Sequence, residues 1–426
     1  MREDSPLSLS KELIMKITVI LLFIFLASCT SKNKDANIDL NAQTTEAIQV
    51  NLFDDTSASE TTLPVLDLQK KYPQKTVNLQ DIANVEYIVL ETHDEGLVSS
   101  NYNTTITDSL IITCNRNDEI CIFHRDGKFS HSFKHKGGSG EEYSSLYEVR
   151  TSQQLNEIYI YDLIRRNIQV YDYSGEYKRT LKLYDKGIML GHIFNLDNEH
   201  LLVEDTRNVD DEHKKETNPY PYYKISVKDG TMTQIPLKIG FRIRDSFRWN
   251  DGDLFGKISL MLSPIAYIND ELIIADYALD TVYAYRNEKL SPIAVRENQH
   301  TNEFPLITTL EIITDKYYIW HSAEKKLKKD MEKMIIPEKT FLQERSTGKC
   351  IQIKLTDENI TDKEYEFKRC ISANNFTVPK NHALQYYPAD KLIELNEAGK
   401  LQGELKEIAS KLTFDDNPVL MLAKFK

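Results

Sequence analysis

The sequence predicts an all-β domain: a six-bladed β-propeller of four-stranded antiparallel blades, closed by pairing of its N- and C-terminal strands. Three observations carry that expectation. Short strand-like runs bounded by turn residues dominate the chain from residue 65 onward. One strand–turn–strand–Gly–strand unit recurs in register along it. Apolar strands without a local partner stand at both ends of that region, and a closed ring is the arrangement that leaves neither edge open.

Residues 1–28 read as an address rather than as architecture. Met15-Lys16 is followed by ten apolar or small residues from Ile17 to Leu26, then by Ala27-Ser28-Cys29. A basic tip, a short apolar run and small residues before a cut site make a secretory signal peptide. The run is about half the ~20 residues that span a bilayer, so no permanent transmembrane helix is expected. Residues 1–14 carry mixed charge ahead of a better start at Met15 and read as an over-long gene start. Leu26-Ala27-Ser28-Cys29 resembles the lipobox of bacterial lipoproteins, which implies lipid on Cys29 and a membrane anchor through it. Thr30 stands where Asp would signal inner-membrane retention, so the resemblance implies an outer-membrane address, with the domain on either side of that membrane. Residues 29–64 are rich in Ser, Thr, Asn, Asp and Lys and read as a flexible tether spanning roughly 30 Å.

The propeller is expected over 65–426. Its first clear unit is Leu110–Cys114, Ile120–Phe123 and Asp126–Phe129. Shifted by 48 residues without a gap, it becomes Ile158–Asp162, Ile168–Tyr171 and Ser174–Tyr177. A third copy is Leu272–Asp276 with Val282–Tyr285, and looser ones are Leu201–Val203 with Tyr223–Gly230, and Tyr317–Trp320 with Phe341–Gln343 and Gly348–Ile351. The glycine recurs because tight hairpins demand positive φ. One such sheet cannot bury both faces alone, so copies must stack; a period in the 40s is that of propeller blades. A sixth blade is expected from the C-terminal strands joined by the strand around Tyr87–Leu90. Val419–Leu422 then pairs with a strand near the start of the domain. Glu404–Leu412 reads as a short helix, with Leu405, Ile408, Ala409 and Leu412 at helical spacing, and Leu327, Met331, Met334 and Ile335 mark a second helical face.

Val77–Thr92 resembles the opening strand of six-bladed, NHL-like β-propeller lipoproteins common in Bacteroidetes. Asp126–Phe129 and Gly137–Tyr143 are similar to that family's first blade and Gly-rich turn, and Asp416–Leu422 to its last strand. Glu141 replaces a Pro often found in that turn. The resemblance covers about 65–426 and implies the fold far more than an activity.

A net charge of −12 argues against a nucleic-acid partner, whose phosphates need clustered Lys and Arg. Cys114, Cys121, Cys350 and Cys370 form no Cys-x-x-Cys, so neither a zinc knuckle nor a redox pair is indicated. Cys114 and Cys121 are expected on neighbouring strands in diagonal positions, as free thiols. His131 and His135 have the spacing of a zinc pair only on a helix; on a strand they lie about 13 Å apart. Gly137-Gly138-Ser139-Gly140 lacks the Gly-Lys-Ser/Thr of a phosphate loop, and Asn250-Asp251-Gly252-Asp253 lacks the ligand series of a calcium loop. No metal site, cofactor or catalytic residue is therefore assigned.

Two stretches remain as ligand-binding candidates. Phe241–Trp249 alternates Arg242, Arg244 and Arg248 with apolar residues and ends on Trp249, a pattern suited to a carboxylate or a sugar ring, although alternation alone predicts an outer strand with its arginines in solvent, which is the favoured reading. Tyr220 and Tyr222 end a charged insertion that begins near Thr206. The sequence thus points to a non-catalytic binding or scaffold module in the cell envelope, for a glycan, peptide or partner protein. Its rivals are a lyase or hydrolase with a site assembled at the central channel, and a structural subunit of an outer-membrane complex.

Overall fold

The computed structural model describes residues 63–98, 103–115, 117–183, 188–206, 218–240, 243–251, 254–260, 262–300, 304–330, 333–362 and 376–426. The signal peptide, Cys29, the tether as far as residue 62, the charged insertion over 207–217, Arg242, Met331 and Cys370 lie outside the described residues.

Each repeat unit of the sequence becomes the second and third strands of a blade. From the channel outward, blade 1 is Thr104–Ile106, Leu110–Cys114, Ile120–His124 and Phe129–Phe133. Blade 2 is Glu148–Ser152, Glu157–Asp162, Asn167–Asp172 and Tyr177–Lys182. Blade 3 is Leu190–Asn195, His200–Asp205, Tyr222–Ser226 and Met232–Gln234. Blade 4 is Ile265–Ile268, Glu271–Ile274, Thr281–Arg286 and Lys289–Glu297. Blade 5 is Leu306–Ile313, Tyr317–Glu324, Glu338–Glu344 and Cys350–Thr356. Blade 6 pairs His382–Tyr387, Val419–Phe425 and Ala83–Val89; the preceding Phe376–Thr377 pairs in parallel with Thr104–Thr105 of blade 1. The molecule is a six-bladed β-propeller on a four-stranded antiparallel plan.

The second and third strands read as continuous apolar runs because both faces of each blade are buried. In blade 2, Ile158 and Ile160 pack toward blade 1, while Tyr159 and Tyr161 pack toward blade 3. Phe194 meets Ile265 between blades 3 and 4, Val282 meets Trp320 between 4 and 5, Leu342 meets Met421 between 5 and 6, and Leu420 meets Phe123 between 6 and 1. Every seam is filled, so the ring is closed. The same alternation sends Cys114 toward blade 2 and Cys121 toward blade 6. Both thiols are free, as their diagonal placement predicts, and burial pushes each up to about 12.

Closure uses the expected pairing, Val419 opposite Val89 and Phe425 opposite Ala83. It also uses two strands that the repeat did not predict. Val65–Asp67 adds in parallel to the outer edge of blade 4, and Gln74–Asn78 to that of blade 5. Val77–Thr92 is therefore not one strand. It breaks at Asn78 into the helix Leu79–Ile82, which buries Leu79 and Ile82 in the seam between blades 5 and 6. Asp357, 1% exposed, ties the junction by accepting from Tyr87 Oη at 2.6 Å, Tyr387 Oη at 3.1 Å and Gln80 Nε2 at 2.7 Å.

Gly403–Ala409 forms the helix expected around 404–412, preceded by a second helix, Ala389–Glu397. The helix expected on Leu327–Ile335 is instead a hairpin, Lys328–Asp330 against Lys333–Ile335. Glu324 and Pro337 already pair through their backbones at its base, so the blade 5 ladder continues outward and overrides the local helical spacing.

Strand alternation sorts the connections. Turns joining first to second and third to fourth strands leave one face of the ring, here the turn face. Links joining second to third strands, and one blade to the next, leave the other, the link face. On the turn face Gly127, Gly175 and Gly230 have φ of +89°, +91° and +80°. A Cβ there would lie 2.1 Å from Val89 O, 2.7 Å from Phe133 Cγ and 2.9 Å from Lys182 O, all on the outermost strand of the preceding blade. The repeat glycine thus serves the turn and the contact between blades together.

Candidate functional site

The channel mouth on the link face is built by the innermost strands of blades 2 and 3. Tyr147 and Glu148 open the first of these strands, followed by Arg150. In the second, Leu190 lies opposite Asp205 and Ile193 opposite Val203, so Gly191 and His192 together face the single residue Glu204. This is a β-bulge, and such bulges re-aim side chains. A side chain at its first position would crowd its neighbours: a Cβ on Gly191 would lie 2.4 Å from Thr206 Cγ2 and 2.9 Å from Glu204 Cγ, so those side chains would have to move. The extra residue turns His192 outward, leaving 51% of its side chain exposed.

Glu148 anchors this arrangement. Its buried carboxylate meets Nδ1 of His192, accepts the backbone N–H of Ile193 at 2.7 Å, and stands 3.6 Å from Nη2 of Arg150. Arg150 donates to Asn103 Oδ1 at 2.7 Å and lies 5.6 Å above the Phe194 ring. Tyr147, 41% exposed, stacks on the imidazole with ring centroids 5.8 Å apart and meets Tyr161 edge-on at 5.9 Å. Burial alone would lower the His192 pKa; the hydrogen bond and charge of Glu148, helped by Glu204, outweigh it and raise the pKa above 6.5. The mouth therefore presents one oriented imidazole that favours its protonated form, beside an exposed aromatic face. Deeper in, Thr151 donates to Thr105 at 2.9 Å and Asn195 to Thr377 at 3.4 Å, giving a polar channel wall.

Among the described residues, the binding candidates from the sequence do not join this cluster. Tyr222 is fully buried between blades 3 and 4 and donates to Asp276 at 2.7 Å, so it is a packing residue, not a ligand contact. Tyr220 is half-buried, with its carbonyl taken by Gln234. Arg248 and Trp249 belong to a link-face hairpin, Ser246–Asp251 against Leu254–Ser259, rather than to a blade. Arg248 is exposed, Arg244 is half-buried, and Trp249 lies across Gly256, where a Cβ would come within 2.7 Å of its Nε1. Phe247 on the same strand packs against Leu260, Tyr277, Ile307 and Ile336. Sequence reasoning missed His192; its one signal was a glycine interrupting a strand pattern just before it.

Other suggestive groups are structural. His131 Nε2 meets the carbonyl of Tyr173 and His135 Nε2 that of Gly175, each at 2.9 Å. Asp162, buried at the end of the second strand of blade 2, accepts from Ser144 N and Oγ at 2.6 Å and fixes the link from blade 1. Among the described residues no group of three or more His, Cys, Asp or Glu could hold a metal ion, and no helix is long and apolar enough to cross a membrane.

No curated protein matches the sequence. Among solved structures, a Bacteroides fragilis protein described as exported has a TM-score of 0.58 at 12% identity, covering 86% of this chain and 100% of its own. A Bacteroides vulgatus member of the DUF4221 family has a TM-score of 0.49 at 10% identity, covering 82% and 99%. The first of these likenesses bears on the fold alone. The profile of DUF4934, a domain of unknown function, matches residues 63–424, the whole of the propeller with its N-terminal strands; the chain belongs to that family.

Proposed function

We propose that the chain is an exported, lipid-anchored propeller that binds its ligand at the channel mouth on the link face, without transforming it. One observation carries this reading: at the link-face ends of the innermost strands of blades 2 and 3, exposed Tyr147 and His192 rest on buried Glu148 and Arg150. Exposed aromatics backed by fixed polar groups are how concave sites combine contact area with orientation. Export is supported by the apolar run before Cys29 and by the description of the Bacteroides fragilis neighbour. Glycan and peptide arrays probed with the full chain should show capture that Tyr147→Ala loses; capture unaffected by that change moves the site elsewhere. A palmitate analogue should label the wild type and not Cys29→Ser, and equal labelling overturns the anchor.

The His192–Glu148 pair favours catalysis as a second reading, because an imidazole oriented by a carboxylate is also a general-base arrangement. Recovery of a captured ligand decides between the two. An intact ligand after prolonged incubation supports binding, and a cleaved or eliminated one supports an enzyme.

A further inference from the structure

The outward nitrogen of His192 narrows the ligand class. Glu148 holds Nδ1, and Nε2 makes no hydrogen bond to any described residue. The carboxylate cannot swing away, because it is buried, accepts Ile193 N at 2.7 Å and faces Arg150. The bulge that presents the ring places Gly191 and His192 opposite Glu204, and the stacked Tyr147 limits the ring's motion. Facing the ring are Glu148, Arg150 and Tyr147 from blade 2 and Glu204 from blade 3. With Nδ1 held by Glu148, a protonated ring has one donor left, Nε2–H, on a side chain that is 51% exposed. A hydrogen bond from this donor to a carboxylate is charge-assisted, roughly twice as strong as one between neutral groups.

We propose that His192 and Tyr147 form a carboxylate-binding subsite, His192 Nε2–H donating to the acid group and Tyr147 covering a flat face of the ligand. A sugar acid or an acidic peptide side chain meets both requirements. The proposal rests on the binding reading above and specifies the chemistry of the same mouth. Its pH dependence follows in sign: the donor is charged below the raised pKa of His192, so binding is strongest there and is lost as pH rises through it.

The test uses the full chain, with D-glucuronate and acetate as acidic probes and D-glucose as the neutral counterpart. The ring resonances of His192, assigned by their loss in His192→Gln, are followed by NMR. At pH 6 glucuronate should shift them saturably and acetate should do so more weakly. Affinity should fall at least about tenfold at pH 9, and glucose should have no effect. Glu148→Gln should lower the His192 pKa and weaken glucuronate binding, with thermal unfolding confirming that it is folded; unchanged binding in a folded Glu148→Gln overturns the proposal. So does the absence of a saturable shift with both acids, equal glucuronate affinity in His192→Gln, or equal binding of glucose. A chain that captures array ligands through Tyr147 yet ignores both acids loses this subsite alone. One that captures nothing loses the binding reading as well.

Discussion

The two faces of the ring follow different rules. On the turn face the chain reverses in a few residues, and most of the left-handed backbone among the described residues lies there: Asn156, Asn269, Asp270, Asn287, Glu288 and Asn381, together with Gly127, Gly175, Gly230 and Gly348, against Asp118, Arg166, Asn298, Gly399 and Gly403 on the link face. On the link face the chain takes detours, including the hairpins over 246–259 and 328–335 and two helices. The turn face is where geometry dictates the residue. The link face has room, and the polar mouth sits on it. The turn face also varies within its rule: blade 4 turns through Asn287 and Glu288, at φ of 49° and 60°, where blades 1 to 3 use glycine.

The largest test of this contrast is at the closing seam. Deleting Asn417–Lys426 removes the central strand of blade 6, together with Asn417, whose Nδ2 donates to Glu91 O at 2.9 Å and Gly96 O at 2.8 Å. Thermal unfolding should fall by on the order of 10 °C or more, with aggregation; an unchanged, monomeric melt breaks the closure account. Next comes Arg296, fully buried, which donates to the carbonyls of Ala275, Asp276, Leu279 and Thr308 and so ties the link of blade 4 to blade 5. Arg296→Met strands those acceptors and should cost about 3–5 kcal/mol by denaturant titration.

Gly127→Ala and Gly138→Ala compare the faces directly. The first puts a Cβ into Val89 O at a left-handed turn and should cost about 3 kcal/mol. The second meets nothing within 4 Å and should change stability by less than about 0.5 kcal/mol. Equal effects would remove the distinction. The turn face also carries an acid-sensitive lock. Burial would raise the Glu157 pKa, but hydrogen bonds from Arg179, Lys178 and Tyr159 bring it down to about 2. Its contribution is present above the ordinary carboxylate range and lost as pH falls toward 2, a loss on the order of 2 kcal/mol given partly exposed partners. Glu157→Gln should flatten that part of the stability–pH curve. The smallest effect belongs to the link face: Phe255→Ser, on a side chain 83% exposed, should leave the melt within about 0.5 kcal/mol of wild type.

The blades were legible because a hairpin is local: strand, glycine and strand lie within about twenty residues, and blades 1 to 5 all stand where the repeat puts them. Val65–Asp67 and Gln74–Asn78 were not, because a parallel pairing with residues far along the chain leaves no local signature. The site failed for a similar reason. Arg248 and Trp249 announce themselves by composition, whereas His192 acquires meaning only from a two-against-one register with another strand and a carboxylate from the neighbouring blade. Tyr222 shows the converse: an aromatic-rich loop end in sequence becomes a buried strand once blade 4 packs on it.

The N-terminal strands also set an order of events. Val65–Asp67, Gln74–Asn78 and Ala83–Val89 are synthesised before any blade, yet each pairs with a strand more than 200 residues downstream. None can be placed until its partner exists, and Ala83–Val89 must wait for Val419–Phe425. Rates fall as contacts become more distant in sequence, so ring closure is expected to be slow and late, with Ala83–Val89 unpaired until then. A chain built this way stays incompletely folded through most of its synthesis, which is the state in which a polypeptide can be threaded across a membrane.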